Sequence, residues 1–344
     1  MPATFDVSPE KEGSIVNYFY GQLTQTPAEV KGVDLEGQTA IVTGYNVGIG
    51  LECSRQLLDL GLSKLILAVR KENKGKAAAV ELSTGRDTPE DTIEVWKLDY
   101  SSYDSIRSFV ERARTLNRLD IAILNAGILK GKMDFNPDTG HEETVQVNYL
   151  STALLAILLP PVMKAKRSIQ QKAGRITITS SDVGAWAAFN ERDENPLLPS
   201  FARTGTTDLF ERNCVTKLLV QLSLVELAKR VPASVAVINA ATPMMVHDSQ
   251  ISRETAQSLL GKAKEVFRRR VGYTAGVGSR MITDAAVNHG EETHGQYLGL
   301  QKLKPMAPFV YTAEGRRVGE LLWKETLAEF SFAGVEDILR DIGK

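Results

Sequence analysis

The expected fold is one α/β domain built on a doubly wound parallel sheet of about seven strands flanked by helices. Three observations predict it. Thr39 to Thr43 is a short apolar run rich in β-branched residues, as suits a strand buried on both faces. Glycines follow at Gly44, Gly48 and Gly50, and a helical pattern begins with Leu51, Ser54, Leu57 and Leu58. From there strand-like and helix-like stretches alternate four times before Gly127, which implies right-handed crossovers in a parallel sheet. A strand, a glycine turn and a helix in that order form a dinucleotide-phosphate cradle of the Rossmann type. The glycines let the backbone turn tightly, and the helix N-terminus offers free N–H groups to an anion.

The spacing departs from G-x-G-x-x-G. Thr43-Gly44-x-x-x-Gly48-Ile49-Gly50 resembles the T-G-x-x-x-G-I-G signature of the short-chain dehydrogenase/reductase family. The resemblance extends in register over about residues 37 to 328. The leader, the long insertion and a Gly-Gln-Tyr-Leu element are most similar to the retinol-dehydrogenase-like reductases of filamentous fungi. It implies an NADP(H)-binding oxidoreductase acting on a small-molecule carbonyl or alcohol, many such enzymes serving natural-product pathways, with Gly44, Asn46, Gly48, Ile49 and Gly50 around the cofactor.

Composition sets bounds. With 344 residues and 43% hydrophobic content, one large core is affordable, and a net charge of −1 leaves no footprint for nucleic acid. Two cysteines exclude a disulfide framework, and four scattered histidines show no metal spacing. A reducing, cytoplasmic setting fits best. The longest apolar stretch, Ala153 to Met163, contains Pro160 and Pro161 and is too short to span a bilayer, so no stable membrane insertion is expected. Residues 1–36 form a leader packed on the domain that fills 37–344. Ile15, Tyr18, Phe19, Tyr20 and Leu23 suit a short amphipathic helix there, with too few basic residues to favour a membrane surface.

Lys64 to Val69 is the second strand and ends at Arg70-Lys71. An arginine at this point of a dinucleotide fold accommodates a 2′-phosphate, and no acidic residue competes, so NADP(H) is expected over NAD(H). Glu72 to Leu82 reads as a helix, Thr92 to Leu98 as a strand and Tyr103 to Leu116 as a helix. Leu119 to Leu124 is the fourth strand, leading into Asn125-Ala126-Gly127. The resemblance implies that Asp99 contacts the adenine and that this N-A-G motif steadies the sheet beside the cofactor. Glu142 to Leu159 reads as a long helix with Asn148, the family's helix asparagine, whose backbone helps hold a water in the proton relay. Arg175 to Thr179 runs into Ser181, where the family has its catalytic serine. Residues 185–205 form a loop-rich insertion expected to line the substrate pocket, and 244–275 a substrate-loop region.

The pattern breaks on the helix from Asp208 to Arg230. The family carries Y-x-x-x-K here, two side chains about one turn apart. Lys217 is present, and Asn213 stands four residues earlier in place of the tyrosine. A phenol tuned by lysine exchanges a proton with the substrate oxygen; an asparagine hydrogen-bonds that oxygen but does not titrate near neutrality. After the sixth strand, Ser234 to Asn239, the usual N-P-G is replaced by Thr242-Pro243-Met244. Helices at Glu254 to Arg270, Val277 to Val287 and Ala313 to Phe330, with a last strand at Gly295 to Leu298, complete the pattern. Three functions follow from the altered site. One is a reductase working through Ser181, Lys217, Asn213 and a water. Another is a non-redox cyclase or isomerase using Ser181 and Asn213 as hydrogen-bond donors. The third is a catalytically silent binding protein. Self-association through the long helices, common in the family, leaves a homo-oligomer open.

Overall fold

The computed structural model describes residues 5–44, 48–87, 89–203, 208–249 and 259–344. One sheet contains β1 (Thr39–Thr43), β2 (Lys64–Val69), β3 (Ile93–Lys97), β4 (Ile121–Leu124), β5 (Gly174–Thr179), β6 (Ala236–Ala241), β7 (Tyr297–Gly299) and β8 (Lys302–Lys304). Their spatial order is β3-β2-β1-β4-β5-β6-β7-β8, parallel through β7. β1 is buried at every position, as its continuous apolar run requires. The strand order reverses between β1 and β4, and in such sheets ligands bind at the carboxyl ends of the strands beside that reversal.

The helices in chain order are α1 (Ile15–Thr24), α2 (Ile49–Asp59), α3 (Glu72–Ser83), α4 (Tyr103–Ala113), α5 (Ser151–Ala165), α6 (Leu209–Ala228), α7 (Leu259–Val271), α8 (Ala275–Val287), α9 (Ala313–Glu329) and α10 (Val335–Ile342). Two apolar cores lie against the sheet. One gathers Leu57, Leu58, Ala78, Leu82, Ile282 and Ala285 from α2, α3 and α8. The other gathers Phe109, Leu155, Leu219, Leu322 and Leu339 from α4, α5, α6, α9 and α10. Glu143–Ala165 is apolar and long enough for a membrane span, but 94% of its most apolar window is buried inside the protein, so core packing accounts for its composition.

Several boundaries differ from the sequence pattern. The eighth strand pairs antiparallel with β7 through a two-residue turn at Leu300 and Gln301, whose φ values are +50° and +62°. Such hairpin turns usually carry Gly or Asn, so this one gave no sequence signal. β6 starts two residues later than expected because the Val235 and Ala236 amides both turn back to the Pro232 carbonyl. The long helix is interrupted by a π turn at Gln146–Leu150 and then runs past Pro160 and Pro161. Of the expected helix from Glu254, residues up to 258 lie outside the described residues. α10 was not anticipated; its inward positions are Val335, Leu339 and Ile342, spaced as one helical face.

The insertion after β5 is held as a packed layer. Phe189 and Phe201 are buried and stacked on each other at 6.4 Å. The Glu325 carboxylate of α9 accepts the Leu197 and Leu198 amides at 2.8 and 2.7 Å. Beneath it lies a buried charge cluster. Arg212 of α6 meets Glu142 at 3.1 Å and Glu191 of the insertion at 2.9 Å, and its guanidinium lies 4.8 Å over the Phe201 ring. The two ion pairs are close but not aligned as hydrogen bonds. Burial pushes the Glu142 carboxyl up against the Arg212 charge that pulls it down. Removing one member strands the others without water. Arg212→Met should therefore lower stability to urea by about 3–5 kcal/mol. The triple change with Glu142→Gln and Glu191→Gln should recover much of that loss in the same unfolding experiment.

Candidate functional site

The cofactor cradle forms where β1 and β4 end. The Thr43 hydroxyl accepts the Asn125 and Ala126 amides, each at 3.0 Å, and pairs with the Tyr100 hydroxyl at 3.1 Å. The Asn125 side-chain Nδ2 donates to the Thr43 and Gly44 carbonyls at 3.2 and 3.0 Å. Gly44 has φ +66°, and a Cβ there would lie 2.7 Å from the Ala126 Cα, so only glycine fits. Gly48, at φ +65°, precedes α2, which opens at Ile49 and Gly50 with no side-chain cap on its first amides among the described residues. Asn46 lies outside the described residues. A cleft of about 300 Å³ opens here, lined by Gly44, Ile49, Arg70, Asp99, Asn125, Ala126 and Gly127 among others. Asp99 is fixed by its own turn, one carboxylate oxygen accepting the Ser101 amide at 3.0 Å. Lys71 and Lys74 join Arg70 along the cleft. Lys74 went unremarked in the sequence although it stands one turn from Lys71, a spacing that could have flagged it.

The four proposed catalytic residues stand beside this cleft and do not line it. Asn148 connects the two. Its Oδ1 accepts the Ile128 amide at 2.8 Å and its Nδ2 donates to the Ile128 carbonyl at 2.9 Å, while Thr216 lies 3.4 Å from the same nitrogen. Ile128 lines the cleft, and Thr216 precedes Lys217 on α6. The π turn carries Asn148, so the side chain is aimed by a local break in the helix. The Lys217 ammonium donates to the Thr179 carbonyl at 3.3 Å, at the end of β5. Ser181 caps the short turn Asp182–Trp186, its hydroxyl accepting the Val183 amide at 3.4 Å. A Cβ on Gly184 would meet the Leu218 amide nitrogen at 3.1 Å, so this glycine lets the turn after Ser181 press against the backbone of α6. The Asn213 Oδ1 is buried and has no hydrogen-bond partner among the described residues.

The turn after β6 carries Met244 at the position where the family usually has glycine. Met244 adopts φ +55°, the left-handed conformation that a glycine would take freely. Its methyl end reaches the leader: a Cβ on Gly21 of α1 would lie 3.6 Å from the Met244 Cε. The Met244 amide donates to the Thr242 hydroxyl at 3.0 Å, which donates in turn to the partly buried Asp182 at 2.6 Å. Tyr297 also donates to Asp182, at 3.1 Å, and burial raises the Asp182 pKa. Residues of the leader close this wall, Gln22 without any signal in the sequence. Gln22 accepts the Met245 amide at 2.9 Å and donates to the Val271 carbonyl at 3.0 Å. Tyr18 packs edge-on against Trp186, with ring centroids 5.1 Å apart. These contacts join residues more than 160 positions apart, and no local pattern announces them.

Comparison with known proteins agrees with this architecture. The model described as short chain dehydrogenase matches residues 38–191. Short-chain dehydrogenase fogG of Aspergillus ruber is 46% identical over the whole of both chains. Short chain dehydrogenase/reductase mfmJ of Annulohypoxylon moriforme is 41% identical, covering 97% of this chain and 98% of that one. The chain belongs to the short-chain dehydrogenase/reductase family. Solved structures share the short-chain dehydrogenase fold at lower identity. An uncharacterized protein from Mycobacterium paratuberculosis superposes with a TM-score of 0.63 at 21% identity, over 89% of this chain and 98% of that one. A short chain dehydrogenase from Shigella flexneri, complexed with NADP, gives 0.55 at 19% identity over 79% and 100%.

In this short-chain dehydrogenase, burial pulls the Lys217 ammonium down from its ordinary 10.5 to about 8. Below about pH 8 both folded and unfolded chains hold the proton, and the burial penalty is present in full, on the order of 3 kcal/mol. It fades as pH rises from about 8 to 10.5, where the folded state gives up the proton first. Lys217→Met should thus be stabilised relative to the cofactor-free parent at pH 7, with the gap closing by about pH 10. Urea unfolding at the two pH values measures it; a gap that does not change with pH would mean an ordinary lysine.

Proposed function

We propose that this chain is an NADP(H)-dependent short-chain dehydrogenase/reductase acting on a small-molecule carbonyl or alcohol in natural-product biosynthesis, with Asn213 in place of the family's tyrosine. The observation that carries the cofactor choice is the basic mouth of the cleft. Arg70, Lys71 and Lys74 line it, and no carboxylate forms an ion pair with any of the three among the described residues. A 2′-phosphate offers them charge-assisted hydrogen bonds. The cradle fits the rest of a dinucleotide: Gly44 clears the approach to Ala126, and the uncapped start of α2 suits the pyrophosphate. When bound, the nicotinamide supplies the hydride chemistry.

The chain's own residues divide the remaining work. Ser181 hydrogen-bonds the substrate oxygen. Asn213 offers an amide one helical turn before Lys217, and Lys217, with a pKa near 8, exchanges a proton through water and is positioned by Thr179. A second reading, a cyclase or isomerase, uses Ser181 and Asn213 as hydrogen-bond donors, a role open to an amide that does not titrate near neutrality. Anaerobic incubation with NADPH and extracted pathway intermediates separates the two. Turnover without NADPH consumption or mass change selects the isomerase.

Two substitutions test the assignments. NADPH should bind more tightly than NADH, and Arg70→Asp should remove the preference, weakening NADPH about ten- to a hundredfold in a fluorescence titration. Equal affinities in the parent protein would rule out the role given to Arg70. Asn213→Tyr should damage the native reaction, since a larger ring takes substrate space. Combined with Met244→Gly, it should raise reduction of a generic diketone or quinone by about a hundredfold or more, the ordinary worth of a general acid. A double variant that stays inert, with the native reaction untouched by Asn213→Tyr, removes Asn213 from the site.

A further inference from the structure

Helix α1 buries its polar side and turns its apolar side outward. The residues it buries are Tyr18, Gly21 and Gln22, the last holding Met245 and Val271. Ile15, Val16, Tyr20 and Leu23 stand 57%, 81%, 63% and 63% exposed. At the angular step of an α-helix, these four and Phe19 fill one continuous sector of about 140°. The patch continues onto α7, where Phe267 meets Phe19 edge to face at 5.9 Å. Val266 and Phe267 are 59% and 49% exposed. Six of the eleven large hydrophobic side chains exposed among the described residues thus lie in this one place, which isolated surface residues do not explain.

The same end of α7 is basic. Its last turn carries Arg268, Arg269 and Arg270. Glu265 pairs with Arg268 and Arg269, each at 3.3 Å, and among the described residues no carboxylate forms an ion pair with Arg270. The leader's own sequence holds few cations, and the fold brings these to its side. We propose that the outer face of α1, with Val266, Phe267, Arg269 and Arg270 of α7, is a peripheral docking surface for a membrane with anionic headgroups. The apolar side chains enter the headgroup–acyl boundary while the guanidinium groups meet the lipid phosphates and carboxylates. A second copy is the poorer fit, because an identical patch brings the same excess of positive charge and no anionic group to meet it. Docking would leave the inner face of α1 in place against Met245, Val271 and Trp186, so a lipophilic substrate would leave the bilayer beside that wall. The proposal does not depend on whether the reaction is a reduction.

Flotation of the full chain with vesicles tests it without any turnover. Vesicles of phosphatidylcholine with about a third phosphatidylserine should float at least about fivefold more protein than phosphatidylcholine alone, and raised salt should reverse the gain. Val16→Asp with Leu23→Asp should abolish flotation, Arg269→Glu with Arg270→Glu should remove its dependence on lipid charge, and Ile169→Asp, an exposed apolar site elsewhere, should change nothing. Unaltered NADPH affinity and melting temperature in every variant keep the comparison to the surface. No flotation, flotation blind to lipid charge, or flotation that survives Val16→Asp with Leu23→Asp overturns the proposal. So does a concentration-dependent dimer in sedimentation that the same pair dissolves in a chain that never floats.

Discussion

One hydroxyl joins the two halves of the sheet. Thr43, the last residue of β1, takes the amides of Asn125 and Ala126 at the end of β4 and pairs with Tyr100 beyond β3. With these groups satisfied, Gly44 turns away in the left-handed region against the Ala126 backbone, and the cleft opens between the diverging chains. The neighbouring chemistry is hung from the same edge. Ile128, two residues past Ala126, is clasped at both its backbone groups by Asn148, and Asn148 reaches Thr216 beside Lys217. A displacement at the switch point would therefore be felt on α6, because every link is a backbone group or a short side chain with no slack.

Two side chains hold the walls of the site, the buried Arg212 and the partly buried Asp182. Arg212 lies one residue before Asn213 and draws the insertion and the start of the π-turn helix onto α6. Asp182, one residue after Ser181, gathers Thr242 and Tyr297 from the ends of β6 and β7. An apolar cluster would bury as well, but it would not select one orientation of three chain segments as directed partners do. The left-handed Met244 is tolerated within that frame, its amide held by Thr242 and the next residue, Met245, held by Gln22 of α1.

The leader is the part whose meaning changes most between chain and fold. Its pattern reads as an amphipathic helix on the domain, and a helix does form there. The face that packs is the one with Gln22, because that amide satisfies a donor on Met245 and an acceptor on Val271 that would otherwise be left bare. The apolar residues are then forced outward.

Local pattern by itself determined the strands, the glycine cradle with Gly44 and Gly48, the basic end of β2 at Arg70, and the absence of a phenol four residues before Lys217. Each of these is written in a window of a few residues, through side-chain periodicity, positive φ or helical spacing. Tertiary structure alone decided the hairpin at Leu300 and Gln301, the π turn under Asn148, the packing of the insertion onto α9, and the side of α1 that meets solvent. In those places a turn residue sits in a conformation its type disfavours, or a polar group finds its partner across more than a hundred positions. The partner, which the local chain does not contain, sets the outcome.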